Sequence, residues 1–148
     1  MHKYVVTYLM GIVMLCSSGF TVDSDSLQKV LKHTSAPLEK IRIYYQVASE
    51  FEKSDPDSAI LFYLLGLELA QKSNNDTLTA NGYLNVGVLK LNTAKYNEAI
   101  NYLFKALKLF QENQHEKNTI RCLQYIGIAH NELGNVENAR NYSLQAMK

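Results

Sequence analysis

Residues 81–111 read NGYLNVGVLKLNTAKYNEAINYLFKALKLFQ. Two amphipathic helices joined by a tight turn account for this pattern, with small residues where the helices must approach closely: Gly87 in the first, Ala99 and Ala106 in the second. The flanking segments are imperfect copies at intervals of 40 residues. Ala59, Ala99 and Ala139 share one lattice, Gly66, Ala106 and Ala146 a second, Leu67, Leu107 and Met147 a third, and Gly87 recurs as Gly127. Self-similarity at a fixed period of roughly 20–50 residues marks a stack of supersecondary units, each burying its apolar face against the next. No segment alternates with period two for long enough to argue a strand. The expected fold is all-α, with antiparallel helix pairs stacked side by side.

The whole chain sets bounds on function. Its 148 residues leave room for one domain, and 47% hydrophobic content with two prolines supplies a core with few breakers. Fifteen basic and 14 acidic residues are spread along the chain, for a net charge of +1. No basic stripe exists to neutralise phosphates, so nucleic acid is not an expected partner. The two cysteines, Cys16 and Cys122, lie in different regions and leave no pair for an internal disulfide. Cys122 reads as a small apolar core residue.

The first 20 residues, MHKYVVTYLMGIVMLCSSGF, are set apart from the fold. A basic start (His2, Lys3), an apolar run from Tyr4 to Leu15, and small residues Ser17, Ser18 and Gly19 make the three regions of a secretory signal. The run is shorter than the roughly 20 residues that span a bilayer comfortably. Cys16 raises a lipoprotein alternative, although Leu15 stands where a small residue would be wanted, and an uncleaved anchor is the third option. Export is expected, to the periplasm or the membrane of a Gram-negative bacterium. The membrane would be touched only through this leader.

The expected organisation is a signal peptide over 1–19, a polar linker with a short helix over 20–37, and a repeat domain over 38–148. The repeats run at about 38–76, 77–115 and 116–148. Leu27, Val30 and Leu31 predict the short helix, capped by Ser24 or Asp25. Helix A of each repeat is expected at about 38–53, 77–91 and 116–133, and helix B at 56–72, 96–112 and from 136 onward. In Ser54-Asp55-Pro56-Asp57-Ser58, Asp55 suits the N-cap, Pro56 the first helical position and Asp57 the positive end of the dipole. Gly134-Asn135 reads as a C′ glycine followed by an N-cap.

These marks resemble the tetratricopeptide repeat, whose helix A carries a large residue and then a small one four positions later. Its helix B carries alanine, an aromatic residue or leucine four positions on, and alanine three positions after that. At these positions the second repeat has Tyr83, Gly87, Ala99, Leu103 and Ala106, and the third has Leu123, Gly127, Ala139, Ser143 and Ala146. The first matches with Ile43, Val47, Ala59, Tyr63 and Gly66, or in helix A with Tyr44 and Ala48 one residue on. Lys90 and His130 depart from the pattern where an aromatic or leucine is usual, as does Gln111 where proline is frequent. The spacing of 40 is similar to the longer-helix subclass of bacterial signalling proteins. The leader and the Ser-Asp-Pro-Asp-Ser-Ala-Ile turn resemble the exported sensor region of certain histidine kinases and transcription regulators.

No catalytic or metal constellation is present in the sequence. His2, His33, His115 and His130 are scattered, and no phosphate-cradling glycine loop or nucleophile elbow occurs. No enzyme activity, cofactor or metal is expected. The resemblance implies instead a concave face lined by helices A, at Asn81, Leu84, Asn85, Val88 and Asn92, then Arg121, Gln124, Tyr125, Ile128 and Glu132. Asn81, Asn85, Arg121 and Gln124 are the candidate peptide-binding residues, because their side chains can hydrogen-bond an extended backbone. A clamp for a C-terminal carboxylate is disfavoured, since only Asn85 and Arg121 partly fit it. Tyr63, Tyr83 and Tyr102 are expected in the core.

The expected function is a protein- or peptide-interaction module serving as the sensing or scaffolding part of a signalling protein. A fragment of a sensor kinase and a self-associating adaptor are the alternatives. The last helix B stops before its counterparts do, and stacked repeats normally need a polar capping unit. The expectation is that the natural chain continues, or that the open end pairs with another copy or a partner.

Overall fold

Punctuation in the sequence sets the helix boundaries. The computed structural model describes residues 24–147, and the expected leader at 1–19 lies outside them. The chain divides into two compact units, residues 1–35 and 36–148. In the first unit the described element is α1, Ser24–His33, whose last turn carries Lys32 and His33 at the negative end of the helix dipole. Thr34 closes it by donating its hydroxyl to the Val30 carbonyl at 2.7 Å.

The second unit contains six described helices: α2 Pro37–Phe51, α3 Pro56–Lys72, α4 Asp76–Asn92, α5 Tyr96–Glu112, α6 Glu116–Glu132 and α7 Val136–Gln145. Each packs on the next in sequence, and α4 also meets α6, so three antiparallel pairs stack with helices A side by side. The chain is all-α as expected. Helices α3 and α5 coincide with their expected ranges, while the others differ by one or two residues, and α7 ends at Gln145.

Four of the five turns share one hydrogen-bond pattern. Asn74, Ala94, Gln114 and Gly134, spaced 20 residues apart, have φ of 49°, 57°, 56° and 75°. At each, the left-handed residue donates its N–H to the carbonyl three residues back, and the next residue donates to the carbonyl five back, as in Gly134 to Asn131 and Asn135 to His130. This is the Schellman motif, which satisfies the orphan carbonyls of a helix end. The first turn differs. It holds one residue more, has no left-handed residue, and closes with Asp55 N–H on the Phe51 carbonyl at 2.8 Å.

Burial resolves the frame of the first helix A. Ala48, fully buried, belongs to one cluster with Ala59, Ile60 and Tyr63, which does not include Val47, so Ala48 holds the small-residue position and Tyr44 the large one. At the caps, Asp55 Oδ1 accepts from Ser58 N–H at 3.2 Å and Asn75 Oδ1 from Leu78 N–H at 3.0 Å. The Ser58 hydroxyl and N–H hold the Asp55 carboxyl below its ordinary range. Asn135 stands at the N-cap of α7 but its side chain makes no capping bond, a correction to the expectation.

The core follows from the small-residue lattice. Leu84, Leu103, Phe110, Cys122 and Ile126 are at most 1% exposed and form one cluster across α4, α5 and α6. Fully burying a side chain of this size contributes about 1.5–3 kcal/mol. Burial pushes the Cys122 thiol up to about 12, so it stays protonated, as a core residue should. Helix α4 is buried on most sides, through Thr79, Ala80, Gly82, Leu84, Val86, Gly87, Leu89 and Leu91, because helices pack on it from both neighbouring pairs.

Glycines admit the closest approaches. A Cβ at Gly87 would lie 2.8 Å from Leu103 Cγ. Gly66 and Gly82 make room for one side chain: a Cβ at Gly66 would sit 2.5 Å from Tyr45 Cε1, and one at Gly82 would strike the Tyr45 hydroxyl. Tyr45 thereby reaches the Leu78 carbonyl at 2.9 Å, tying the first pair to the second. Tyr63 is buried and donates to Glu52 Oε1 at 2.7 Å, as a core tyrosine with a satisfied hydroxyl. Tyr83 and Tyr102 are only half-buried, a correction to their expected place in the core, and Tyr83 lines the groove between α3 and α5.

Candidate functional site

An α-helix brings residues i, i+4, i+7 and i+11 onto one stripe. On α4 this stripe holds Asn81, Asn85, Val88 and Asn92. Asn81, Asn85 and Val88 are half-buried and Asn92 is exposed. None of the three carboxamides hydrogen-bonds another described residue, nor does any have a fully buried atom lacking a partner, so their polar atoms face solvent. Each offers two N–H donors and one acceptor oxygen, the complement of a peptide unit.

On α6, Arg121, Gln124, Ile128 and Glu132 are exposed and Tyr125 is half-buried. Glu132 Oε2 accepts from the Tyr96 hydroxyl at 3.4 Å, a long contact. Because α4 and α6 pack together, the four candidates fall on neighbouring helices, Asn81 and Asn85 on one, Arg121 and Gln124 on the other. Val88, Tyr125 and Ile128, the last 47% exposed, add apolar surface.

Leu84 does not line a face. It is 1% exposed and sits in the central cluster with Ala80, Leu103 and Ile126. Its position is spent on packing between successive pairs. Gln124 holds the equivalent place in α6, with no further described helix packed over it. Asn81 and Asn85 therefore carry the candidate site more firmly than Gln124 does.

Two departures from the repeat pattern have a physical account. Lys90, its side chain 15% exposed, lies 2.7 Å from Glu98 on α5, whose carboxyl is held below its ordinary range by that hydrogen bond. Charge pairing here takes the place of aromatic packing. In the third repeat His130 stacks on Tyr142 at 5.5 Å and 4° between planes, while its Nδ1 is buried without a partner. Asn138 stands where Glu98 does one repeat earlier.

Among the described residues no cluster of His, Cys, Asp or Glu could hold a metal ion, and no helix is long and apolar enough to cross a membrane. The stripes on α4 and α6 expose carboxamide, guanidinium and apolar groups side by side.

The profile of the SusR N-terminal TPR domain matches residues 24–108, from the first residue of α1 into α5 and over more than half of the chain. Among solved structures, the TPR domain of Arabidopsis FLU is similar with a TM-score of 0.71 at 20% identity, covering 76% of this chain and 95% of that one. BtubC (BKLC) from P. vanneervenii is similar with a TM-score of 0.72 at 19% identity, covering 82% of this chain and 52% of that one, so this chain spans about half its length. At these identities the likeness is one of fold. No curated protein matches the sequence. The third helix pair lies beyond the matched segment, and its turns and lattice repeat those inside it. With three stacked helix pairs and this family match, the chain is a tetratricopeptide-repeat protein of the SusR N-terminal TPR domain family.

Proposed function

We propose that this protein is a non-enzymatic interaction module that binds an extended peptide segment along the outward stripes of α4 and α6. The observation that carries the reading is the pair of half-buried carboxamides, Asn81 and Asn85, with no partner of their own. Half-burial limits their rotamers before a ligand arrives, which lowers the entropy cost of binding. Arg121 and Gln124 extend the row of donors, and Val88 with Ile128 supplies apolar contact for a ligand side chain.

The module is, in this reading, the exported sensing or scaffolding part of a bacterial signalling protein. The leader over 1–19 supports export, and the family match to an N-terminal domain supports a place ahead of other segments. Ligand binding would act by changing the curvature of the stack, because each pair contacts only its neighbours.

Selection of a random displayed peptide library against the full chain tests the binding claim. Enriched peptides whose affinity falls at least tenfold in Asn81→Ala plus Asn85→Ala support it. Failure to enrich any sequence, or affinities unchanged in that double variant, would overturn it. Export is tested by fusing residues 1–40 to alkaline phosphatase, which folds only outside the cytoplasm. An inactive fusion rejects the leader.

A further inference from the structure

We infer that the groove between α3 and α5, floored by the first turns of α4, is a second binding site, for a carboxylate. It is a cleft of about 360 Å³, within the range of pockets that hold small ligands or single side chains. It involves different residues from the stripe of Asn81 and Asn85, and the inference does not rest on that reading.

The argument begins with who donates and who accepts. Gln71 Nε2 donates to the Tyr83 hydroxyl at 2.8 Å. That bond uses a lone pair of the Tyr83 oxygen, so the phenolic proton has no acceptor among the described residues and is free to donate into the cleft. Lys105 reaches over the same floor, its Nζ 5.5 Å from the ring centroids of both Tyr83 and Tyr102. It pairs with no carboxylate among the described residues, so its ammonium retains its donors. Lys108 stands one turn further along α5, 3.9 Å from Glu112 in an exposed and loose pair. A phenol and two ammoniums converging on one cleft complement an oxyanion.

The charge of that anion follows from the rim. Asp76 and Glu112 line the same cleft. With Lys105 and Lys108 they leave the lining without net charge, which disfavours a phosphate dianion more strongly than a single carboxylate held by directed hydrogen bonds. The Tyr83 ring, tilted against Tyr102 with centroids 6.2 Å apart, and Leu109 offer apolar contact to the carbon chain that carries the carboxylate.

The arrangement is not a by-product of the repeat. Forty residues on, Gln71, Tyr83 and Lys105 become Gln111, Leu123 and Gln145, which bring neither a phenol nor an ammonium. Of the two grooves between successive pairs among the described residues, the one between the first and second pairs combines the two.

The test is a titration of the isotope-labelled full chain followed by 1H–15N spectra, with three probes: glutarate, an N-acetylated glutamyl tripeptide amide, and inorganic phosphate. Saturable shifts centred on the Gln71 side-chain amide, Tyr83 and Lys105 are expected for at least one carboxylate probe. Lys105→Gln, at an exposed position, should weaken that binding about tenfold, the worth of one charge-assisted hydrogen bond. Tyr83→Phe should weaken it severalfold, and Asn85→Ala should leave it unchanged. Tighter binding of glutarate assigns the site to a free organic acid, and tighter binding of the tripeptide to an acidic side chain of a protein partner. No saturable shift from either carboxylate overturns the inference. So does binding that is as tight in Lys105→Gln and Tyr83→Phe as in the parent, or binding of phosphate in preference to both.

Discussion

Gly87 and Gly127 occupy one position of the repeat, yet replacing each by alanine should have opposite effects. In a helix interior alanine is favoured over glycine by about 1 kcal/mol, and both variants receive that gain. The difference lies in what the new methyl group meets. At Gly87 it would stand 2.8 Å from Leu103 Cγ, 3.0 Å from Leu103 Cδ2 and 3.3 Å from the Leu103 backbone nitrogen. Leu103 is fully buried within the central cluster, so neither its side chain nor α5 can give way without disturbing that packing. Overpacking of this kind costs about 1–3 kcal/mol. Contact with backbone as well as side chain puts Gly87 toward the upper end, for a net loss of about 1–2 kcal/mol.

At Gly127 the nearest atoms are Ser143 Oγ at 3.2 Å and the Ala139 carbonyl oxygen at 3.4 Å. Ser143 is exposed and its hydroxyl, now bonded to Ala139 O at 2.8 Å, can rotate outward. The propensity gain then survives in large part, and Gly127→Ala should be stabilised by about 0.5 kcal/mol. Urea denaturation of the two variants and the parent, followed by helical circular dichroism, measures the contrast. The two midpoints should move in opposite directions at unchanged m-values, since the surface exposed on unfolding is the same. A Gly87→Ala protein as stable as the parent would refute the reasoning, because close helix approach would then not be what requires glycine.

Other consequences follow from the turns and caps. Ala94 holds φ of 57°, a conformation that costs a residue with a Cβ about 1–2 kcal/mol and costs glycine almost nothing. Allowing for the greater chain entropy of glycine, Ala94→Gly should raise stability by about 0.5–1 kcal/mol, read as a higher urea midpoint. An unchanged or lower midpoint would show that the left-handed turn is not under strain. Asp55 has its carboxyl held below the unfolded value by Ser58, so its contribution is present above that value and is lost as pH falls through the lowered one. Asp55→Ala should accordingly be less stable than the parent near neutrality, with the two stability curves meeting in acid. A gap that persists below both values would assign the effect to something other than the carboxylate cap.

Local interactions made much of the fold legible in the sequence. Pro56 following Asp55 names a helix start because cap and first turn are adjacent in the chain, and the structure places α3 from Pro56 with Asp55 bonded to Ser58. Gly134 could be read as a helix end for the same reason. Ala94 and Gln114 could not, since nothing in either side chain asks for positive φ, and the backbone bonds to Leu91 and Lys90, or to Gln111 and Phe110, impose it. The 20-residue spacing of the four left-handed positions is visible only once dihedral angles are known.

The periodic small residues, Ala59, Ala99 and Ala139, revealed the helix pairs, because their spacing is a property of one unit repeated. Which residues become neighbours between units was less accessible. Gly82 carries no mark that joins it to Tyr45, 37 positions earlier, yet the tyrosine's place depends on that glycine and on Gly66. Leu84 appeared suited to an open face by its register and is instead inside the stack. The stripe of Asn81 and Asn85 follows from helical spacing alone, but their half-burial and unpaired amides do not.

By itself, then, the sequence determined an all-α stack of about three helix pairs, the ends of most helices and the identity of the repeat, because period, capping and propensity act over a few residues. Tertiary structure alone decided the frame of the first helix A, the Tyr45 link between pairs, the burial of Leu84, and the meeting of Gln71, Tyr83 and Lys105 over one cleft. Those depend on distances between residues far apart in the chain, which the angle and rise of one helix pair against the next set, and no local pattern encodes.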